Sequence, residues 1–307
     1  MGYELFIGLR YLRGKKKSRF VSVITFISIL GITVGVTALI IVLSVMSGFQ
    51  EDIKEKILGI NAHIVISEFG GTIYDYDTVL KSSLAIEEVI GATPFTYNQA
   101  MLSTEDGVTG SIIRGIDTDT VGDVTILPER LKVGSLEGLN KTFREAAKED
   151  DLPGIVVGRE LAIGLGAGLG DEVNIISPSG SSASGGSIPR MAAFKIVGVF
   201  ELGMYEYDTG LSFISLKNAQ TFFKHKGVSG IELKIADIYK AEEVSQKVYD
   251  ALPGSYWTRT WMDMNRNLFN ALKLEKGAIF IILTLIILVA ALNIISSLIM
   301  IVMEKSK

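Results

Sequence analysis

The fold is decided by the segment Trp261–Met303, which reads WMDMNRNLFNALKLEKGAIFIILTLIILVAALNIISSLIMIVM. Its second half, Ala278–Met303, contains 26 residues without a charged side chain. A helix of that length is about 39 Å long and can cross the roughly 30 Å hydrocarbon core of a bilayer. In the first half, four apolar residues recur at helical spacing: Trp261, Met264, Leu268 and Leu272. With no Pro or Gly before Gly277, we predict an amphipathic stalk that continues unbroken into a transmembrane helix.

The composition is that of a membrane protein with an acidic middle. The mean hydropathy is +0.37 and 48% of the 307 residues are hydrophobic, with the excess concentrated in two runs. The net charge of −4 divides into +5 for residues 1–19, −10 for residues 20–303 and +1 for residues 304–307. An acidic middle argues against a nucleic-acid partner, which requires a basic face. The absence of cysteine excludes disulfides, zinc–thiolate sites and a cysteine nucleophile.

The second apolar run lies near the N-terminus. Phe20–Met46 has 27 uncharged residues and follows a basic cluster, with a short interfacial helix expected in Tyr3–Arg13. The run is too long for a signal peptide and no cleavage site follows it, so we predict an uncleaved span. The positive-inside rule then places residues 1–19 in the cytoplasm, residues 47–277 outside, and residues 304–307 inside again.

Small and polar residues in the spans favour packing against further helices. Gly31 and Gly35 form a small-xxx-small pair that allows close helix approach. The amide of Asn293 in the second span is costly in hydrocarbon without a partner. Ordinary variation in a simple anchor is the alternative. After Met46 the apolar pattern continues through Phe49 and Ile57, which predicts a second stalk.

Between the stalks, short strands alternate with helices, which predicts an α+β domain. The predicted strands are 63–66, 95–103, 111–115, 155–157, 172–177, 194–200, 211–215, 231–235 and 255–259. The predicted helices are 76–90, 159–165, 216–224 and 240–252. Residues 177–189, SPSGSSASGGSIP, are predicted to be a long flexible loop. Its composition leaves open whether the loop is functional or a disordered surface connection.

We find no pattern for an enzyme active site or a cofactor. The nearest match to a P-loop, Gly8 to Lys16, has the wrong spacing and lacks the Ser/Thr. The segment from Asp117 begins like a calcium loop, but Val121 and Pro128 occupy ligand positions. His63 and His225 lie far apart, and we predict structural roles for both. No catalytic, cofactor or metal residues are predicted.

Four strings of residues together resemble the lipoprotein-releasing permeases of the LolC/LolE family, in the MacB/FtsX-like class of ABC transporter membrane subunits. They are Leu5–Gly14 (LFIGLRYLRG), Gly31–Gly35 (GITVG), Val42–Phe49 (VLSVMSGF) and Ala291–Lys305 (ALNIISSLIMIVMEK). They occur in order along the whole chain, which makes the resemblance specific.

The resemblance implies a subunit with a large periplasmic domain between its first two spans, residues 20–46 and 278–303. It implies a porter part at residues 59–115 and 228–260 and an inserted sabre-like part at 116–227. The implied partners are a separate cytoplasmic ATPase (LolD-like), a second permease (itself or LolE-like), the periplasmic carrier LolA, a lipoprotein and membrane lipid. The family continues into two more spans, so the sequence is expected to be part of a longer subunit, truncated in the cytoplasmic loop that begins at 304–307.

The resemblance also assigns site residues. A hairpin called the hook contacts the carrier in LolC-type members, and the loop at 177–189 falls at its place. The implied hook residues are Pro178, Ser179, Gly180, Ser184, Gly185, Gly186, Ile188, Pro189 and Arg190. For the acyl chains of a lipoprotein we predict six apolar residues near the outer bilayer edge: Val42, Met46, Phe49, Leu268, Phe269 and Leu272. Helix packing is the alternative role for these six.

Two other functions remain open at this point. A MacB- or FtsX-like permease would use the same architecture for efflux or for control of a cell-wall hydrolase. A two-span sensor with an extracytoplasmic ligand domain would need a signalling module after the second span.

Overall fold

The computed structural model describes Tyr3 and residues 19–60, 62–143, 151–183, 186–252 and 254–305. It divides into two compact units: unit 1 comprises Met1–Ile53 and Arg266–Lys307, and unit 2 comprises Lys54–Asn265. The predicted interfacial helix lies outside the described residues, Tyr3 excepted.

The helices, in chain order, are α1 (Arg19–Ile60), α2 (Tyr76–Leu84), α3 (Val121–Val124), α4 (Arg159–Gly164), α5 (Tyr205–Gly210), α6 (Leu216–Phe223), α7 (Ala241–Ala251), α8 (Trp261–Met264) and α9 (Arg266–Lys305). The strands are β1 (Ile64–Glu68), β2 (Val89–Ser103), β3 (Val108–Ile116), β4 (Leu131–Gly134), β5 (Gly154–Gly158), β6 (Glu172–Ala183), β7 (Gly186–Phe200), β8 (Leu211–Ser215), β9 (Gly230–Ile235) and β10 (Tyr256–Thr260). Short 3-10 helices cover Leu127–Arg130, Leu136–Asn140 and Ile238–Lys240.

Unit 1 is built from the two long helices. Among the described residues, Ile29–Asp52 of α1 and Arg266–Met300 of α9 are long and apolar enough to cross a membrane, with mean hydropathies of 2.6 and 3.0. Their side chains are largely exposed, as expected for helices whose apolar surface meets lipid. The prediction of two apolar helices flanking an α+β domain is confirmed.

One half of unit 2 is a split βαβ arrangement. Strands β10, β1, β9 and β2 lie side by side in that order, and the pairs β10–β1, β1–β9 and β9–β2 are antiparallel. Helix α2 connects β1 to β2, and α7 connects β9 to β10. The strand order 4-1-3-2 with two crossover helices is that of the ferredoxin-like motif. The segment between β2 and β9 is inserted into this motif.

The inserted half closes into a ring. Hydrogen-bonded pairs run from β2 to β3, β8, β5, β7 and β6, and β6 pairs with β2 again. Every strand of the ring has a hydrogen-bonded neighbour on each side, while residues 181–183 of β6 and 186–188 of β7 pair only with each other among the described strands. Each of the six strands contributes a side chain with no exposed surface to one core cluster: Leu102, Ile113, Ile214, Ile155, Phe194 and Ile175. The ring combines β2 and β3, which lie almost wholly in the predicted porter part, with four strands of the predicted sabre-like part. The division at 115/116 stays a prediction.

Two local predictions are wrong. The helix predicted over 76–90 ends at Leu84, because β2 begins at Val89 and pairs with Ile235 of β9. The unbroken stalk from Trp261 is interrupted at Asn265. Helix α8 is a single turn that begins with a capping box formed by Thr260 and Asp263. The side-chain amide of Asn265 donates to the backbone carbonyl of Trp261 at 2.8 Å, where α8 ends.

Both ends of unit 2 are hydrogen-bonded to its interior. At the end of α1, the carbonyl of Gly59 accepts from the amide of Ile126 at 3.1 Å. Before α9, Trp261 is 3% exposed, and its backbone and indole N–H groups donate to the carbonyls of His63 (2.9 Å) and Ile238 (3.1 Å). Covalent connections to both apolar helices therefore begin at fixed points of unit 2.

We predict that Phe194→Ala lowers the free energy of unfolding of unit 2 by about 3–5 kcal/mol, because it removes a fully buried ring. Phe194 packs against Phe143 and Phe222, with ring centroids 5.9 Å and 6.0 Å away. The two tryptophans, Trp257 and Trp261, both lie in unit 2, so tryptophan fluorescence during urea titration of the detergent-solubilised chain reports on this unit alone. The control, Phe69→Ala, alters a side chain that is 76% exposed and should stay within about 0.5 kcal/mol of the parent.

Candidate carrier-contact hairpin and apolar surfaces

The segment predicted to be a flexible loop is a β-hairpin, so that prediction is wrong. Strand β6 continues to Ala183 and β7 starts at Gly186, with Ser181 opposite Ile188, Ser182 opposite Ser187, and Ala183 opposite Gly186. Of the implied hook residues, Pro178, Ser179 and Gly180 lie on β6, and Gly186, Ile188, Pro189 and Arg190 lie on β7. Ser184 and Gly185, at the tip, lie outside the described residues.

Two prolines mark the base of this hairpin. The register shifts between Ser177, which is opposite Arg190, and Ser181, which is opposite Ile188. Pro178 and Pro189 fall in this irregular part, where the absence of their N–H groups costs no ladder hydrogen bond. Pairing of β6 with β2 covers only Asn174–Ile176. Among the described strands, none besides β6 and β7 pairs with 181–183 or 186–188, so this part of the hairpin lies beyond the pairings that close the ring.

Arg190 ties the base of the hairpin to α6. Its guanidinium donates to the backbone carbonyl of Phe222, in the last turn of that helix. A cation at a helix C-terminus is favourable because the free carbonyls carry partial negative charge. The next residue, Met191, is 65% exposed. Arg190 thus links the hairpin base to α6. The rest of the hairpin, residues 178–189, has no charged side chain.

The structure has a cavity near the hairpin base that was not predicted from the sequence. A cavity of about 520 Å³ lies between the hairpin base and the β2–β3 pair. Its lining is mostly apolar and comprises Gln99, Ala100, Met101, Gly110, Ser111, Ile112, Ile176, Pro178, Pro189 and Gly210. Sequence alone could not bring these together, since they come from four strands and a helix end.

A further cavity of about 510 Å³ lies on unit 2 around a buried ion pair. The guanidinium of Arg114 on β3 contacts the carboxylate of Glu232 on β9 at 2.7 Å, with only 11% and 7% of the side chains exposed. The guanidinium also lies over the ring of Phe95, 4.8 Å from its centroid. Arg114 Nε is buried and has no hydrogen-bond acceptor among the described residues. This cavity was also missed, because Arg114 and Glu232 are separated by more than a hundred residues.

The predicted acyl-contact residues lie on the two apolar helices. Val42, Met46 and Phe49 follow an i, i+4, i+7 spacing on α1, and Val42 and Phe49 are about half exposed. Leu268, Phe269 and Leu272 lie in the first two turns of α9 and are partly exposed. Each set therefore offers apolar surface, while their contact with acyl chains stays a prediction.

The predicted packing residues share one groove in unit 1. Gly31 and Gly35 of α1 and Asn293 of α9 line a groove of about 480 Å³ between the two helices. A methyl group added at Gly35 would lie 3.8 Å from Ile286, and one at Gly31 would meet no atom within 4 Å. The structure thus brings the three residues together, and their packing against a further helix stays a prediction.

The two histidines differ in their surroundings, and the prediction of structural roles for both stays a prediction. His63 is 8% exposed, and its Nδ1 accepts from the amide of Ile235 at 3.2 Å. Burial lowers the pKa of His63 below its usual value, because it disfavours the charged ring. His225 is exposed at the end of α6. Within the described residues, no group of three or more His, Cys, Asp or Glu side chains could hold a metal ion.

The chain matches one family model and is similar to several known membrane proteins. The family described as "MacB-like periplasmic core domain" matches residues 25–251. The chain is 38% identical over 307 residues to the lipoprotein-releasing system transmembrane protein LolC of Neisseria meningitidis, covering 98% of this chain and 71% of that protein. It is 36% identical to LolC of Xylella fastidiosa over 97% of this chain and 70% of that protein. It is 25% identical to LolE of Haemophilus influenzae over 99% of this chain and 72% of that protein.

Among solved structures, the chain is similar to the periplasmic region of MacB from Actinobacillus actinomycetemcomitans. The TM-score is 0.44 and the sequence identity 14%, over 70% of this chain and 95% of that one.

We predict that Ser182→Cys together with Ser187→Cys forms an intramolecular disulfide on mild oxidation. The two residues are direct cross-strand partners, and opposite residues of an antiparallel pair have Cα atoms about 4.5–5.5 Å apart, within disulfide range. The chain has no other cysteine, so a gel-mobility or mass measurement of free thiols is unambiguous. The control pair Ser181→Cys with Ser187→Cys is out of register and should oxidise more slowly. Equal rates for the two pairs would indicate a flexible loop instead of a paired hairpin.

Proposed function

The chain belongs to the LolC/LolE family of lipoprotein-releasing transmembrane proteins, and on that premise we propose that it releases outer-membrane-destined lipoproteins from the inner membrane. It does so as the membrane subunit of an ABC transporter that delivers them to a periplasmic carrier. The observation that carries the proposal is the similarity to LolC along nearly the whole chain. The two apolar helices and the folded unit between them support it.

In this proposal ATP is hydrolysed by a separate, LolD-like cytoplasmic subunit. The absence of a P-loop pattern in the sequence supports that division of labour. A second permease subunit, either another copy or a LolE-like chain, completes the transporter. The groove at Gly31, Gly35 and Asn293 provides a surface on which an additional membrane helix can pack.

The orientation follows from charge. The N-terminus, with its net charge of +5, lies in the cytoplasm and unit 2 lies in the periplasm. The spans are residues 20–46 and 278–303, and the periplasmic part is residues 47–277. The porter part comprises 59–115 and 228–260, and the sabre-like part comprises 116–227.

The hairpin of β6 and β7 is the contact for the carrier LolA. Three features of the described residues support this role. The hairpin extends beyond the pairings that close the ring, its two arms leave their outer edges unpaired by the described strands, and residues 178–189 are uncharged. A partner can therefore pair with an open edge or enclose the hairpin without desolvating an ionised group. Arg190 and the proline-containing base hold the arms where they leave the ring.

The acyl chains of the lipoprotein contact the outer ends of the two spans. Met46 and its neighbours Val42 and Phe49 offer an apolar stripe on α1, and Leu268, Phe269 and Leu272 offer one on α9. These surfaces suit hydrocarbon chains because transfer between lipid and an apolar side chain breaks no polar contact.

Deletion of residues 179–187 in the full-length chain should abolish capture of LolA while unit 2 stays folded. The pairings that close the ring, 172–177 with 190–195 and 174–176 with 101–103, remain in this variant. The measurement is a pull-down of LolA by the detergent-solubilised transporter. A control variant, Phe69→Ser with Tyr74→Ser, alters two residues that are 76% and 70% exposed in another loop and should bind LolA as the parent does. Equal binding by the deletion variant would remove the hairpin from the carrier site.

Met46→Asp should stop ATP-dependent release of lipoprotein from proteoliposomes while the ATPase subunit still co-purifies. A carboxylate in the membrane costs about 2.5–3.5 kcal/mol at the centre of a span and repels an apolar ligand. Met46→Leu keeps the volume and polarity and should release lipoprotein at close to the parental rate. Full release by the Asp variant would contradict the acyl-contact assignment.

A further inference from the structure

The two cavities on unit 2 lie along one face of the same pair of strands. On β2, Phe95 and Tyr97 line the cavity around the ion pair of Arg114. Gln99 and Met101 line the apolar cavity at the hairpin base. These alternate residues share one face because successive side chains of a strand point to opposite sides. On β3, Arg114, Ile112 and Gly110 are the direct partners of Tyr97, Gln99 and Met101. Ile112 lines both cavities, so they form one continuous surface, which we name the β2–β3 track.

The track connects two functionally distinct ends of unit 2. At one end the lining includes Met264 and Thr125. Met264 directly precedes Asn265, where α8 ends. Thr125 directly precedes Ile126, whose amide donates to the carbonyl of Gly59 in α1. At the other end it includes Pro178 and Pro189 of the hairpin base. The six residue steps from Phe95 to Met101 cover about 20 Å of strand. Acyl chains of one leaflet span about 15 Å, half of a roughly 30 Å hydrocarbon core, so the track is long enough for one extended chain.

The lining suits an acyl group more than a charged ligand. Apart from the ion pair and Arg259, the walls are largely apolar or hydroxyl-bearing. Glu232 neutralises the guanidinium of Arg114 across a contact of 2.7 Å, so this buried ion pair presents no net charge to an apolar ligand.

We propose that the β2–β3 track guides the acyl chains of the lipoprotein from the end of unit 2 that carries Thr125 and Met264 to the base of the hairpin. The proposal rests on the lipoprotein-releasing function proposed above and adds the route between its two contact sites. Tyr97, Met101 and Ile112 form the floor of the track, and the ion pair of Arg114 and Glu232 lies in its wall.

The test places the photo-crosslinking residue p-benzoylphenylalanine at Tyr97, Met101 or Ile112 of the full chain, assembled with its partner subunits in proteoliposomes. The matched control is Tyr249, which is 50% exposed on α7. Helix α7 packs on the face of the sheet opposite the track. Ser245 of α7 bonds to Thr258 of β10 at 2.8 Å, and the next residue, Arg259, lines the track. Successive residues of a strand point to opposite faces. During ATP turnover, the three track positions should form adducts with an acylated lipoprotein, and Tyr249 should form none. The same lipoprotein without acyl chains should give no adduct.

Release of lipoprotein is measured in the same samples, which separates the two proposals. Normal release without adducts at the track positions would overturn the track and leave the function intact. Adducts with the second permease subunit, or equal adducts with the non-acylated protein, would also overturn it, since they indicate a subunit interface or a peptide contact. Absence of release by the parent transporter would overturn both.

A charge in the track provides an independent readout. Tyr97→Asp should lower the rate of release by about tenfold or more with ATP hydrolysis unchanged, because an ionised carboxylate disfavours an apolar ligand. Tyr249→Asp, at a comparably exposed tyrosine, should release at the parental rate. Equal release by the two variants would overturn the track.

Discussion

Strand β2 is the element on which the folded unit depends, because three different strands pair with it. Its first half pairs with β9 and completes the split βαβ sheet, and its second half pairs with β6 and closes the six-stranded ring. Along the other edge, β3 pairs with residues 95–103 throughout. One continuous strand therefore joins the two halves of unit 2 without a flexible linker, and displacement of β2 would break the pairing of both.

The two points at which the chain enters and leaves unit 2 are held by hydrogen bonds to the interior of that unit. The chain enters unit 2 beside the Gly59–Ile126 bond and leaves it beside the buried Trp261. From there the hydrogen-bonded strands run without interruption to the base of the hairpin. Arg190, bonded to the end of α6, and the prolines of the irregular register define where the hairpin arms leave the ring. A paired hairpin on a closed ring is a stiffer contact element than a Gly/Ser-rich loop.

The incorrect local predictions share a physical cause. Residues 179–187 are Gly/Ser-rich, and that composition predicts flexibility because such residues have little intrinsic preference for strands. Cross-strand pairing between β6 and β7 nevertheless extends to Ala183 and Gly186. Residues 85–90 follow a helical pattern, but pairing with β9 requires an extended conformation from Val89. Asn265 is unremarkable in sequence, and its role depends on the capped turn that buries Trp261.

Local patterns in the sequence were enough to predict the two apolar helices, the α+β class of the middle and the family. Uncharged length, charge asymmetry and short-range periodicity are local properties, and the strings that resemble the family can be compared directly. Three features could be seen only in the folded unit: the ring, the ion pair of Arg114 and Glu232, and the face shared by Tyr97, Met101 and Ile112. These features join residues far apart in the chain, and which strands become neighbours is set by the burial and pairing of the whole unit, for which no local pattern exists.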